Sequence, residues 1–243
     1  MKKIAIIVAI TILVCAFASC AAEKQDFTSI NDYVAPATTH KIETGTLSFK
    51  DIGGEYAAIT DYVGSYKDHA VVIPAAVGDK TRGERVVTEI GDEAFYYTTS
   101  ATSIVIPNTV TTIGDWAFAG CTSLETIVIP ASVTSIGKGA FAGCTALKTV
   151  VFEGNAITAI DDYTFKGCTA LESINIPESI KSIGIMAFDS CTALNKDGAL
   201  KLTASIESIG KFAFDGISKT YISAPEGSYA AKYVAEMSDA SAE

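Results

Sequence analysis

The sequence predicts a solenoid, mainly β, in which short parallel strands stack at a 23-residue period, joined by short turns and 3-10 segments and closed by a C-terminal helix. Two observations carry this reading. The phrase Ile-Gly-x-x-Ala-Phe recurs as IGDEAF from Ile90, IGDWAF from Ile113, IGKGAF from Ile136, IDDYTF from Ile160, IGIMAF from Ile183 and IGKFAF from Ile209, in steps of 23, 23, 24, 23 and 26 residues. A pair of alternating apolar residues also recurs with the phrase: Ile104 and Ile106, Ile127 and Ile129, Val150 and Phe152, Ile174 and Ile176, Leu200 and Leu202. Such alternation marks a short strand with one buried face. No single coil of this length can bury its own apolar face, so the coils must stack strand beside strand, about 4.8 Å apart.

The elements follow in chain order. Residues 1–19 read as a signal peptide: Lys2 and Lys3 precede an apolar run from Ile4 to Phe17, 14 residues, and then small residues. A run of that length is short of the roughly 20 residues that span a bilayer and suits a signal core. Phe17-Ala18-Ser19-Cys20 resembles the lipobox of bacterial lipoproteins, and that resemblance makes Cys20 the expected lipidated N-terminus. Ordinary cleavage after Ala22, giving a secreted protein, is the alternative. Residues 20–46, polar and Ala/Thr-rich with Pro36, read as a flexible tether, and His40 falls there as a solvated residue. Residues 47–69 read as an N-terminal cap built from a strand pair, and residues 70–222 as the repeat array. The step from Pro74 to Pro107 is 33 residues rather than 23, so the polar stretch Gly78 to Arg85 is inserted, and three more residues enter around Asn195 to Asp197. Residues 223–243 read as a terminal helix and tail, with Ser228 as the N-cap and Tyr229, Tyr233 and Met237 as its apolar face.

As one unit the repeat is C-x-x-L-x-x-I-x-I-P-x-x-V-x-x-I-G-x-x-A-F-x-G. The stretch Leu124 to Ile129 follows the pattern of leucine-rich repeats, and the Pro after the strand together with I-G-x-x-A-F resembles the BspA-like bacterial subclass, over about Ala70 to Ile222. The resemblance implies a leucine-rich-repeat solenoid and a role at the cell surface in adhesion to host matrix proteins or other cells.

Stacking turns each recurring residue into a column. Phe95, Phe118, Phe141, Phe165, Phe188 and Phe214 are expected to form one aromatic spine. Gly91, Gly114, Gly137, Gly184 and Gly210 are expected at a turn requiring positive φ, with Asp161, a residue that tolerates that region, as the exception. Pro74, Pro107, Pro130 and Pro177 should end strands. Cys121, Cys144, Cys168 and Cys191 form a fourth column. Over four coils this column spreads across about 14 Å, too far for one zinc ion with Zn–S near 2.3 Å. Disulfides between neighbours would bend the coils. Each cysteine is therefore read as a small buried hydrophobe with a weak donor, the more so because Thr98 and Ile217 fill the same position in the end copies.

The function classes narrow accordingly. The net charge is −10, or −10 − 2 = −12 without Lys2 and Lys3, which disfavours nucleic acid. There is no phosphate-binding glycine loop, zinc-protease helix or nucleophile elbow, and the histidines number two, so the chain reads as non-enzymatic, without catalytic residues, metal or cofactor. The expected partner is a protein of unknown identity, the membrane is reached only through the lipid anchor, and the chain is expected to be monomeric. The outward strand positions are the candidate partner-binding residues: Ser103, Thr126, Thr149 and Ser173 in one column, and Val105, Val128, Val151, Asn175 and Lys201 in the next. The expected location is the bacterial envelope, as an outer-membrane or surface lipoprotein. A structural envelope lipoprotein that scaffolds its neighbours and meets no host ligand is the alternative.

Overall fold

A computed structural model describes residues 38–42, 45–64, 70–79, 83–196 and 198–237. Cys20, its lipidation and the signal peptide lie outside these residues.

Each coil has three sides. The first carries one strand per coil, and these strands form a seven-stranded parallel sheet: β4 (Ala70–Val72), β7 (Ser103–Val105), β9 (Thr126–Ile129), β11 (Thr149–Phe152), β13 (Ser173–Asn175), β15 (Leu200–Lys201) and β17 (Ile222–Ser223). The register is in phase: Thr126 faces Thr149, which faces Ser173, and Val128 faces Val151. Proline ends these strands as the missing N–H requires. Where Glu153 stands at the proline position, its N–H donates to the Ile129 carbonyl at 3.0 Å and the ladder runs one bond further.

The second side also pairs, which the apolar alternation did not reveal. The residue pairs Thr112–Ile113 (β8), Ser135–Ile136 (β10), Ala159–Ile160 (β12), Ser182–Ile183 (β14) and Ser208–Ile209 (β16) are two-residue strands, and the end of β6 (Gly83–Ile90) begins their series. The glycine column lies just beyond them, and here the structure corrects the sequence reading. None of Gly91, Gly114, Gly137, Gly184 or Gly210 has positive φ. They are glycines because the backbone of the preceding coil is too near for a side chain: a Cβ on Gly137 would stand 2.6 Å from the Asp115 nitrogen and 2.7 Å from the Gly114 carbonyl carbon.

Asp161 is explained by the same geometry rather than by tolerance of left-handed φ. Asp92 Oδ1 accepts from the Asp115 N–H at 2.8 Å, Asp115 Oδ1 from Lys138 at 2.7 Å and Asp162 Oδ1 from Ile185 at 2.7 Å, so a carboxylate carries the ladder from coil to coil. Lys138 has no acceptor to offer the Asp162 N–H, and Asp161 supplies one from the adjoining residue at 2.8 Å. Its Cβ prevents the glycine-close approach, and the second sheet breaks at this join. β10 ends one sheet, and β12, β14 and β16 form another.

The third side consists of overlapping turns. In the first copy the N–H groups of Glu93, Phe95 and Tyr97 donate to the next coil (Asp115, Ala117 and Ala119 carbonyls, 2.7–2.9 Å), while those of Ala94, Tyr96 and Thr98 close turns within the coil. Alternating donors in this way demands left-handed residues at two columns. One is Glu93, Trp116, Gly139, Tyr163, Met186 and Phe212; the other is Tyr97, Gly120, Gly143, Gly167, Ser190 and Gly216 (φ between 51° and 78°).

The core runs through the middle. The six phenylalanines are buried and stacked at 5.2–5.8 Å between centroids, with Tyr62 stacked on Phe95 at 5.2 Å and Tyr233 edge-on to Phe214 at 6.2 Å. The ends are closed differently. β2 (Gly45–Gly53) and β3 (Tyr56–Gly64) form an antiparallel pair, and β3 joins β6 in parallel. β1 (Thr38–Ile42) pairs with β2, so strand structure, including His40, enters the 20–46 stretch that the sequence assigns to a tether. The insertion is a hairpin rather than a polar loop, β5 (Ala76–Asp79) against β6, tied to the cap by Arg85 Nε and Asp51 Oδ2 at 3.3 Å.

At the other end α1 (Tyr229–Glu236) starts at Ser228, whose hydroxyl accepts from the Ala231 N–H at 3.1 Å. The buried face of α1 is Ala230, with Tyr233, Val234 and Met237 packed beside it, and Tyr229 is exposed. The i, i+3, i+4, i+7 set thus replaces the expected i, i+4, i+8 set, because one stripe of a 3.6-residue helix includes both spacings.

Candidate functional site

The four repeat cysteines are buried and free. Each thiol donates to the carbonyl of the phenylalanine one coil back: Cys121 to Phe95, Cys144 to Phe118 and Cys168 to Phe141 at 3.2 Å, and Cys191 to Phe165 at 3.1 Å. Burial pushes Cys168 well above the ordinary thiol range and Cys191 up to about 12; the neighbouring Cys121 thiol, and then burial, raise Cys144. Thiolate is the reactive form, so this column belongs to the core and not to a reactive centre. The expected result is that iodoacetamide at pH 8 labels none of the four in the native protein and all four after denaturation without reductant, read by peptide mapping. Native labelling would show that the coils open.

Among the described residues, no group of three or more His, Cys, Asp or Glu side chains is placed to hold a metal ion.

The structure places all nine strand-face candidates on the outward side of the first sheet. Ser103, Thr126, Thr149 and Ser173 share one row, and Val105, Val128, Val151, Asn175 and Lys201 the next. Val72 extends the second row, since it faces Val105. The valines at 105, 128 and 151 are half-buried, because in-register β-branched neighbours lean on one another, while Ser173, Asn175 and Lys201 are exposed. This makes the stripe apolar toward the N-terminal coils and polar toward the C-terminal ones. The Thr/Ser row is bordered by a column of alternating sign, Glu125, Lys148, Glu172 and Lys196, with Lys148 to Glu125 at 2.9 Å and Lys196 to Glu172 at 3.1 Å. The border is neutral, and such exposed pairs orient rather than stabilise.

A second surface lies on the third side of the coil, at the variable positions of I-G-x-x-A-F-x-G and, for Tyr97, at its final Gly position. Trp116, Tyr97, Tyr96 and Phe212 are 37%, 61%, 49% and 54% exposed. Trp116 lies across Gly139 and stacks on Tyr163 at 6.2 Å and 21°, while Tyr96 and Tyr97 meet edge to face at 4.6 Å. Partial desolvation, then Tyr97 and the Glu93 charge, push the Tyr96 phenol up. Further along, the Lys166 ammonium sits 5.8 Å over the Tyr163 ring, 2.9 Å from Asp189 Oδ2 and 3.4 Å from Met186 Sδ. The signal for this surface was present in the sequence as Trp, Tyr, Met and Phe in a variable column, but it has meaning only once the turn shows that column facing out.

A leucine-rich cell surface protein of Faecalibacterium prausnitzii A2-165 is similar in structure, with 26% identity, a TM-score of 0.53, and coverage of 79% of this chain and 55% of that one; the chain therefore spans about half of that protein's length. A leucine-rich-repeat protein of Eubacterium ventriosum ATCC 27560 shows 28% identity and a TM-score of 0.48 over 67% of this chain and 47% of that one. The leucine-rich-repeat protein of T. pallidum shows 22% identity and a TM-score of 0.44 over 74% of this chain and 70% of that one. None of the curated proteins matches the chain. The model of the BspA type leucine rich repeat region matches residues 88–217 in six copies, more than half of the chain, and the chain belongs to that family.

Proposed function

We propose that the protein is a non-enzymatic, cell-surface binding module that uses the outward face of its first sheet to hold a protein partner, in adhesion to host or other cells. One observation supports this most directly. Val72, Val105, Val128 and Val151 stand in register as an uncharged stripe beside the Thr/Ser row, a surface that costs little to desolvate. The Faecalibacterium relative is a cell surface protein, which supports the location, and the lipobox-like Cys20 offers a means of anchoring. The chain is proposed to act as a monomer, without cofactor or nucleic acid.

Two experiments test the reading. Protease added to intact cells should remove the protein; full protection would exclude adhesion and favour an internal scaffold. Val128→Asp with Val151→Asp should abolish partner binding while the circular dichroism spectrum is retained, because a charge on each valine would have to be desolvated on contact. Undiminished binding would remove the strand face from the proposal.

A further inference from the structure

We propose that the third side of the first two coils is a separate docking site for a cationic, arginine- or lysine-rich segment of a partner protein. The argument starts from charge. Residues 92–97 and 115–120 of this side carry Asp92, Glu93 and Asp115 and no Lys or Arg. Asp92 and Asp115 each commit one carboxylate oxygen, Oδ1, to the coil ladder. The nearest basic residue along this side, Lys138 of the third coil, is paired with Asp162 at 3.5 Å, in the fourth. On the same side stand Tyr96 and Tyr97, exposed and edge to face so that their rings form a corner, and Trp116, exposed and leaning over Gly139.

Rings beside carboxylates are what a guanidinium or ammonium group binds: the ring face attracts the cation and the carboxylate accepts its N–H groups. The molecule already holds one cation in this way. Two coils further along the same side, Lys166 is held between the Tyr163 ring, the Asp189 carboxylate and the Met186 sulfur. The first two coils carry rings and acids on the same side, in a different arrangement and with no lysine or arginine there, so a cation held here comes from outside. An anionic partner is repelled here, and a purely apolar one would strand three carboxylates. The left-handed backbone at Glu93, Trp116 and Tyr97 fixes the rings on the outward side of the turn.

The test uses the purified protein, with nona-arginine as the probe and nona-glutamate and an uncharged nonapeptide as controls. Trp116 is the one tryptophan in the chain, so its emission reports on the site directly. Nona-arginine should change that emission saturably, with affinity falling as salt rises, and neither control should do so. Tyr97→Gly should weaken binding by about tenfold, and Glu93→Gln several-fold. Trp116→Gly, followed by calorimetry, should weaken it similarly. Glycine occurs naturally in both columns, at Gly120 and Gly139, so these variants keep the turn. Val128→Asn with Val151→Asn, which adds no charge, should leave nona-arginine binding unchanged, which separates failure of this site from failure of the strand face. If Tyr97→Gly and Trp116→Gly bind as tightly as the parent, the interaction is bulk electrostatics and the site is overturned. Equal binding of the uncharged peptide overturns it as well.

Discussion

Phe141→Ala is expected to lower the stability of the whole array by about 3–5 kcal/mol, the range for removing a fully buried phenylalanine. The ring sits between Phe118 at 5.3 Å and Phe165 at 5.5 Å, within 8° of parallel to both, and it is completely buried. The backbone on either side is held by inter-coil bonds, Phe118 N–H to the Ala140 carbonyl at 2.8 Å and Phe141 N–H to the Thr164 carbonyl at 2.9 Å, so the coils cannot collapse into the space. A solenoid couples only nearest neighbours, and a gap in the middle therefore weakens two interfaces at once. Urea unfolding should show a midpoint shift of that size with an unchanged slope. A lower slope would mean that the array has split into two folding units at coil three, and a shift below about 1 kcal/mol would show that the spine is not the main source of cohesion.

What the sequence disclosed and what it hid follow from how each residue acts. The spine, the strand columns and the buried cysteines were legible because their side chains face inward at every repeat, and identical surroundings select identical residues. Tyr62, which closes one end of the spine, occurs once and leaves no period to detect, whereas Tyr233 at the other end was legible only as part of an apolar helix face and not as a neighbour of Phe214. The glycine columns were legible in position and misread in cause. A glycine is required both where φ is positive and where another backbone approaches, and only coordinates distinguish Gly137, the second case, from Gly143, the first. Of the two candidate surfaces, the strand face could be read from alternation. The aromatic side could not, because Trp116 and Tyr97 face outward through left-handed turns that large aromatic residues rarely adopt.

The glycine distinction can be tested with three substitutions whose effects differ in cause. Gly137→Ala adds a methyl to a residue outside the left-handed region, so it carries no dihedral penalty. The new atom meets the Asp115 carboxylate oxygen, the Asp115 nitrogen at 2.6 Å and the Gly114 carbonyl carbon at 2.7 Å. Those backbone atoms move only if the coils part, and the ladder bond from Gly137 N–H to the Ile113 carbonyl, 2.8 Å, parts with them. The expected loss is about 3 kcal/mol, at the upper end for overpacking. Gly143→Ala does the opposite: its Cβ would find only Gly120 backbone at 3.8 Å, but φ is +71°, and the expected loss is the left-handed penalty of about 1–2 kcal/mol. Trp116→Gly removes a comparable penalty at φ 56° while giving up the ring's contacts with Gly139 and Tyr163, so its net effect should lie within about 1 kcal/mol of zero. Urea midpoints should therefore fall in the order Gly137→Ala lowest, Gly143→Ala intermediate, Trp116→Gly near the parent. If Gly143→Ala proved the most damaging, backbone conformation rather than inter-coil distance would set the glycines of the repeat, and the close approach at Gly137 would not be what closes the second sheet.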